Sequence, residues 1–385
     1  MVEQSAGPRV IVLGAGPAGL ASAGALAMKG VQVIVLDRAP DVGSSWRGHY
    51  DRLRLHTTRG LSALPGLEIP AAFGRWVARD DFVHYLEGYQ AHFRLDVRLG
   101  VEVVEVQRGS ASDGARWVVR DRSGLGWPAD HVIVATGYNH TAAMPTWPGQ
   151  DGFTGDLHHA SSYRNPSPYA GRSVLVAGTG NTGCEIAQDL SESGCAPVWL
   201  AYRTPPHILR RDTGGWPSQW TGVGVRRLPA ALVDRVAGLV ERASIPDLTA
   251  YGLPRPPADL ASRVREGSIP VQDVGIVAAI RSGAVRPVPM IDHFSGPAVI
   301  LTDGAVLQPD SVIVAAGYRR GLDYVSALDV LRADGRPVVH GARNPPGSPG
   351  LWFNGYTNPI SGMLREISRD ASAIASAIVD SDRRR

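Results

Sequence analysis

Gly14-Ala15-Gly16-Pro17-Ala18-Gly19 sets glycines at the first, third and sixth places of a short run, and Gly178-Thr179-Gly180-Asn181-Thr182-Gly183 repeats the spacing in mid-chain. Glycines so spaced let backbone N–H groups close on a pyrophosphate. The first allows a sharp turn, the second a near approach, and the third close packing of a helix on the preceding strand. About twenty residues later a polar side chain reads the adjoining ribose. Asp37 follows the first turn and can accept hydrogen bonds from a ribose diol, whereas Arg203 follows the second and favours a 2′-phosphate. The first turn thus predicts a dinucleotide site made by Gly14, Gly16, Pro17, Ala18, Gly19, Asp37 and Arg38. The second predicts an NADPH site made by Gly178, Gly180, Asn181, Thr182, Gly183 and Arg203.

Other chemistries are narrowed by what the chain carries. Its two cysteines are Cys184 and Cys195. If both lie on the helix after the second turn, they are ~16 Å apart along its axis, beyond the ~7 Å a disulfide spans. No Cys-x-x-Cys or Cys/His metal spacing occurs, so no metal site is expected and a reducing, cytosolic (cytoplasmic) setting is. The 39 basic residues against 36 acidic give a net charge of +3, and Lys29 is the only lysine. The arginines are scattered, with no basic tract longer than Arg383-Arg384-Arg385, which argues against a nucleic-acid partner. No pattern sets an oligomeric state.

The elements that must hold these residues follow from periodicity. Val10–Leu13 reads as a buried parallel strand, Leu20–Met28 as an Ala-rich helix, and Val31–Asp37 as an alternating second strand. Val10–Met28 is nearly free of charge, yet its glycines and the strand that follows fit a strand, turn and helix better than a membrane span. Ser173–Ala177, Cys184–Ser193 and Pro197–Tyr202 repeat the pattern around the second turn. A further repeat joins Asp130–Tyr138 to Asp310–Tyr318: each is a buried strand closing on a small-small-Gly turn where a cofactor backbone can approach, at Thr136 and Gly137 in the first copy. The fold class expected is α/β, with two Rossmann-like dinucleotide-binding units, as in a flavoprotein that takes hydride from a nicotinamide.

Phe153, Gly155, His159 and Tyr163 fit F-x-G-x-x-x-H-x-x-x-Y just ahead of the second turn. This resembles the signature of the flavin-containing monooxygenases with two dinucleotide-binding domains (class B). Ala135-Thr136-Gly137 with Pro145 resembles that family's ATG-and-proline motif. Leu53–Thr57, Leu64-Pro65, Tyr251–Pro256 and Pro270–Gly275 are similar to stretches of its plant YUCCA-like branch. The resemblance covers nearly the whole chain. It departs at Thr57 and Thr58, where amine-oxygenating members often carry Asn, and at Asn354–Gly362.

The resemblance implies FAD on the first turn, NADPH on the second, and transfer of one oxygen atom from O₂ to a small organic substrate through a C4a-(hydro)peroxyflavin. The flavin carries the hard chemistry, which accounts for a chain without a visible triad or carboxylate pair. Asn181 and Thr182 are then expected to fix the nicotinamide nucleotide, Thr58 to stand in the place of the usual Asn, and Trp46 to join the flavin set. His56 is a cavity candidate, with a hydrogen-bonded structural histidine as the competing reading. A carbonyl or α-keto acid substrate is expected ahead of N- or S-oxygenation. An NADPH oxidase releasing peroxide stays open, and a disulfide reductase lacks its dithiol. The FAD domain is expected in two parts, 1–165 and 286–385, with the NADPH domain inserted at 166–285. Gly214–Pro257, around the amphipathic piece Ala230–Ala243, is expected to be a lid or a substrate-access wall, with a surface excursion at the domain interface as the competing reading.

Overall fold

The computed structural model describes residues 8–110, 112, 114–213, 216–217, 220, 246–257, 269–359 and 361–384. Its frame is a pair of five-stranded parallel sheets. In the first, the order is 351–353, 131–134, 10–13, 33–37, 96–99. In the second it is 285–289, 198–202, 174–177, 311–314, 156–159. The central strands Val10–Leu13 and Val174–Ala177 are buried throughout, as sheets covered on both faces require.

The two units repeat each other down to single hydrogen bonds. Val10 pairs with Val33 and His131, and Val174 with Val198 and Ser311. Gly14 N donates to Leu36 O and Ala135 N to Leu13 O; Gly178 N donates to Ala201 O and Ala315 N to Ala177 O. Asp130 ties the return of the first unit by accepting from Arg9 N at 3.0 Å, and Asp310 that of the second by accepting from Ser173 N at 2.7 Å.

The first nucleotide helix, Pro17–Ala27, is buried on nearly every side, against helix Arg79–Phe93 and the long helix Met363–Asp382. Its composition explains this: alanine and glycine let neighbours close in, and a Cβ on Gly24 would fall 2.2 Å from Tyr89 Oη. The long helix answers with Ile367, Ala371, Ile374, Ala375 and Ile378, one apolar stripe. Among the described residues no helix is long and apolar enough to cross a membrane.

The expected limits of the inserted unit, 166–285, are too narrow. Strands 156–159 and 311–314 belong to the second sheet, and the antiparallel ladder 291–295, 298–301, 306–307 packs on its face through Ile291, Phe294, Val299 and Leu301. The reason is pairing: 311–314 must bond 174–177 as 131–134 bonds 10–13. The chain crosses between the units as two antiparallel strands, Thr141–Ala142 and Tyr318–Arg319. Most of the expected lid, including Ala230–Ala243, lies outside the described residues.

Candidate functional site

At each glycine turn the three glycines have separate jobs. Gly14 sits at φ +105°, and a Cβ there would meet Ala135 O at 2.6 Å; Gly178, at φ +126°, would meet Ala315 O at 2.5 Å. Cβ atoms on Gly19 and Gly183 would lie 1.7 and 1.9 Å from the carbonyl oxygens of Gly14 and Gly178. Those four are set by the protein's own packing. Gly16 and Gly180 differ: a Cβ at either would meet nothing within 4 Å. Each is an extended residue capping its nucleotide helix, so its bare face opens on the helix N-terminus, where backbone N–H groups await an anion. A pyrophosphate fits both cradles.

The side chains beside the turns divide sharply. Asp37 Oδ2 accepts from Ala15 N at 2.5 Å and Oδ1 from Ala39 N at 2.8 Å, so this carboxylate braces the turn itself. Arg38 is exposed beside it. Trp46 packs edge-on against Phe82 at 4.5 Å, half in the first core. Thr136 Oγ1 lies 2.9 Å from Tyr324 Oη and 3.0 Å from Tyr356 Oη, and Gly137 is at φ +100°. In the second unit Arg203 is exposed and makes no hydrogen bond or ion pair with the described residues. The Asn181 amide is engaged by the chain, accepting from Gln272 N at 2.7 Å and donating to Pro270 O at 3.4 Å. It therefore clasps strand 271–273, and only the neighbouring Thr182 hydroxyl is left without such a bond.

The four motif residues before the second turn anchor the chain where it enters that unit. Phe153 packs on Phe294 at 5.1 Å, and a Cβ on Gly155 would meet Asp310 O at 2.7 Å. His159 Nδ1 accepts from Ser161 N, so Nε2 carries the proton and donates to Gly317 O at 3.0 Å. Burial holds this imidazole below its ordinary pKa. Tyr163 Oη donates to Asp189 Oδ2 at 2.7 Å.

Between the units lies a polar cluster that neither glycine motif announces. Glu185, on the second nucleotide helix and 5% exposed, accepts from Tyr50 Oη at 3.0 Å, and its other oxygen lies 2.7 Å from His56 Nε2. Burial, then Glu185, pushes the Tyr50 phenol upward. Among the described residues neither His56 Nδ1 nor Glu185 Oε1 makes a hydrogen bond, so His56 and Glu185 meet as a close ion-pair contact. Asp189 and Glu192, further along that helix, both hold Arg52, at 3.1 and 2.8 Å. The segment 50–56 is thus laid along an acidic stripe of the other unit. Thr57 Oγ1 bonds Ser62 Oγ at 2.6 Å, and Thr58 is buried at the start of the turn 59–62. Trp76 carries both Arg75 and Arg211 over its ring, at 5.5 and 4.6 Å from the ring centre.

The structure therefore brings His56 together with Tyr50 and Glu185, which motif reading passed over, and sets Trp76 against Arg211, which feels the charge of Glu185. Glu185, Asp189 and Glu192 were legible as one helix face, since they follow i, i+4, i+7. Nothing in the sequence marks Trp76. Both cysteines are free and buried; Cys195 lies past the end of the helix and donates to Tyr169 O at 3.0 Å. Among the described residues no cluster could hold a metal ion.

Comparison with known proteins agrees with this architecture. Residues 11–221 match the family model described as pyridine nucleotide-disulphide oxidoreductase. A probable indole-3-pyruvate monooxygenase, YUCCA3 of Arabidopsis thaliana, is 34% identical, over 96% of this chain and 86% of its own. Indole-3-pyruvate monooxygenase YUCCA1 of Oryza sativa subsp. japonica is also 34% identical, over 96% and 91%. Among solved structures, the flavin-containing monooxygenase of Stenotrophomonas maltophilia superposes with a TM-score of 0.74 at 25% identity, over 97% of this chain and 99% of the other.

Proposed function

Because this chain belongs to the flavin-containing monooxygenases, in the branch of the plant YUCCA proteins, we propose that its substrate is an α-keto acid. It is an FAD- and NADPH-dependent monooxygenase. FAD, when bound, takes hydride from NADPH and activates O₂. We assign FAD to the first cradle, with Gly14, Gly16, Pro17, Ala18, Gly19, Asp37, Arg38, Trp46, Thr136 and Gly137 around it. NADPH goes to the second, with Gly178, Gly180, Asn181, Thr182, Gly183 and Arg203.

The observation that carries the substrate reading is identity spread over nearly the full length of proteins named for indole-3-pyruvate, itself an α-keto acid. The residues support it in three ways. Asp37 fixes the first turn in place, so the first nucleotide is held by rigid backbone. Arg203 is free to bind and release a phosphate. The junction of the two units presents His56 and Arg211, cationic or hydrogen-bonding groups suited to an acid with a ketone beside it. In the proposed reaction one oxygen atom enters at the keto carbon and the bond to the carboxylate breaks. R-CH₂-CO-COO⁻, O₂, NADPH and H⁺ become R-CH₂-COO⁻, CO₂, NADP⁺ and water.

The test is a substrate panel under ¹⁸O₂ with the purified flavoprotein. Indole-3-pyruvate and phenylpyruvate should give the shortened acids carrying one labelled oxygen. Turnover of amines or sulfides, with none of keto acids, would overturn the substrate assignment and leave the monooxygenase class intact.

A further inference from the structure

One guanidinium at the junction is left without a hydrogen bond or ion pair among the described residues. Asp212 is in ion-pair contact with Arg75 at 3.2 Å. Glu185 is engaged by Tyr50 and His56. Arg54 donates to Trp76 O at 3.1 Å. Arg211, which feels the charges of Glu185, Arg54 and Asp212, is half-buried against the Trp76 ring and makes no hydrogen bond or ion pair with the described residues. Burial works against its charge. A guanidinium keeps its charge in such a place, and its five donors want a planar anion. Stacking on an indole fixes the plane of the fork and leaves its edge for a bidentate partner.

We infer that Arg211, stacked on Trp76 at the junction of the two units, is the residue that binds the substrate's carboxylate. This rests on the α-keto acid reading and names the group that recognises the acid end. Two features point to a carboxylate at the junction over the 2′-phosphate of the nucleotide. The ring that stacks on Arg211 comes from the first unit, in the 75–77 stretch. Arg203, just past the end of the second strand of the second unit, is the residue proposed above for the ribose phosphate. His56, held by Glu185 within the same cluster, is then placed to meet the polar group next to the carboxylate.

The experiment compares 3-phenylpropionate, whose carboxylate sits where phenylpyruvate carries its own, with its uncharged isostere 3-phenylpropanamide by titration calorimetry on the FAD-loaded protein with NADP⁺. Wild type should bind the acid about 10- to 100-fold more tightly than the amide, and Arg211→Met should bring the two within about threefold. Flavin content and circular dichroism must match wild type, and Arg211→Lys should restore only part of the preference. A wild type without charge preference overturns the inference. So does a preference that survives in Arg211→Met, or an Arg211→Met that loses NADP⁺ affinity with its acid preference intact. If wild type turns over no keto acid while the preference for the acid remains and depends on Arg211, the substrate reading fails and the anion site stands.

Discussion

The two dinucleotide units are built on one plan and differ in what surrounds the plan. Both turns use the same three glycines, the same strand register and the same return through a small-small-Gly turn. In the first unit the acid after the turn is folded back onto it, through Ala15 and Ala39, and the helix is apolar and enclosed. In the second unit the corresponding arginine stands in solvent, and the helix carries Glu185, Asp189 and Glu192 toward the partner unit. A braced turn in an enclosed unit suits a nucleotide that stays. An exposed arginine and a polar, interlocking helix suit one that comes and goes.

The largest effect should separate glycines that serve the fold from those that serve the ligand. Gly19→Ala would force a Cβ onto Gly14 O and should yield insoluble or flavin-free protein. A Cβ on Gly16 meets nothing within 4 Å, so Gly16→Val should fold and purify colourless. If Gly16→Val retains stoichiometric flavin, the first cradle does not hold FAD. Next comes Arg203→Ala, which removes a charge-assisted phosphate contact of roughly 1.5–3 kcal/mol. The preference for NADPH over NADH in flavin reduction should fall ~10- to 150-fold, with flavin content unchanged. An unchanged preference would mean another arginine reads the phosphate.

The next effect concerns the chain's entry into the second unit. Tyr163→Phe removes a buried hydroxyl from the Asp189 carboxylate, and denaturant unfolding should show a loss of about 1.5–3 kcal/mol. Stability unchanged within error would make that contact incidental. The smallest effect concerns Asp310, whose carboxyl is held below its ordinary value by the Ser173 N–H, then by the Ser173 hydroxyl. A depressed carboxyl favours the folded state at pH above its unfolded value of about 4. The contribution is lost as pH falls through the lower folded value. Asp310→Asn should therefore flatten the acid limb of the stability curve slightly. An identical acid limb in the variant would show that the tie to Ser173 is not felt.

What could be read from the sequence was local or repeated. The strands around each glycine turn, and the strands 131–134 and 311–314 within the matched stretches 130–138 and 310–318, pair as the repeat implied. The boundary of the inserted unit was misplaced although the repeat contained the correction, because strand 311–314 is the counterpart of 131–134 and must lie in the second sheet. Asn181 was expected to serve the nucleotide; its amide proves to be tied to Pro270 and Gln272, in a stretch whose pairing with 208–210 only the folded chain reveals. Glu185 escaped because its partners, Tyr50 and His56, are more than a hundred residues away. Such contacts between distant segments follow no period.

In the proposed reaction the two units together deliver one oxygen atom from O₂ to an α-keto acid. The peroxide released per NADPH oxidised by the purified flavoprotein, measured with and without phenylpyruvate, tests this most directly. Phenylpyruvate should lower this ratio sharply, and CO₂ should appear in step with the NADPH consumed. A ratio near one molecule of peroxide per NADPH in both conditions, with no CO₂, would contradict it and mark the protein as an oxidase.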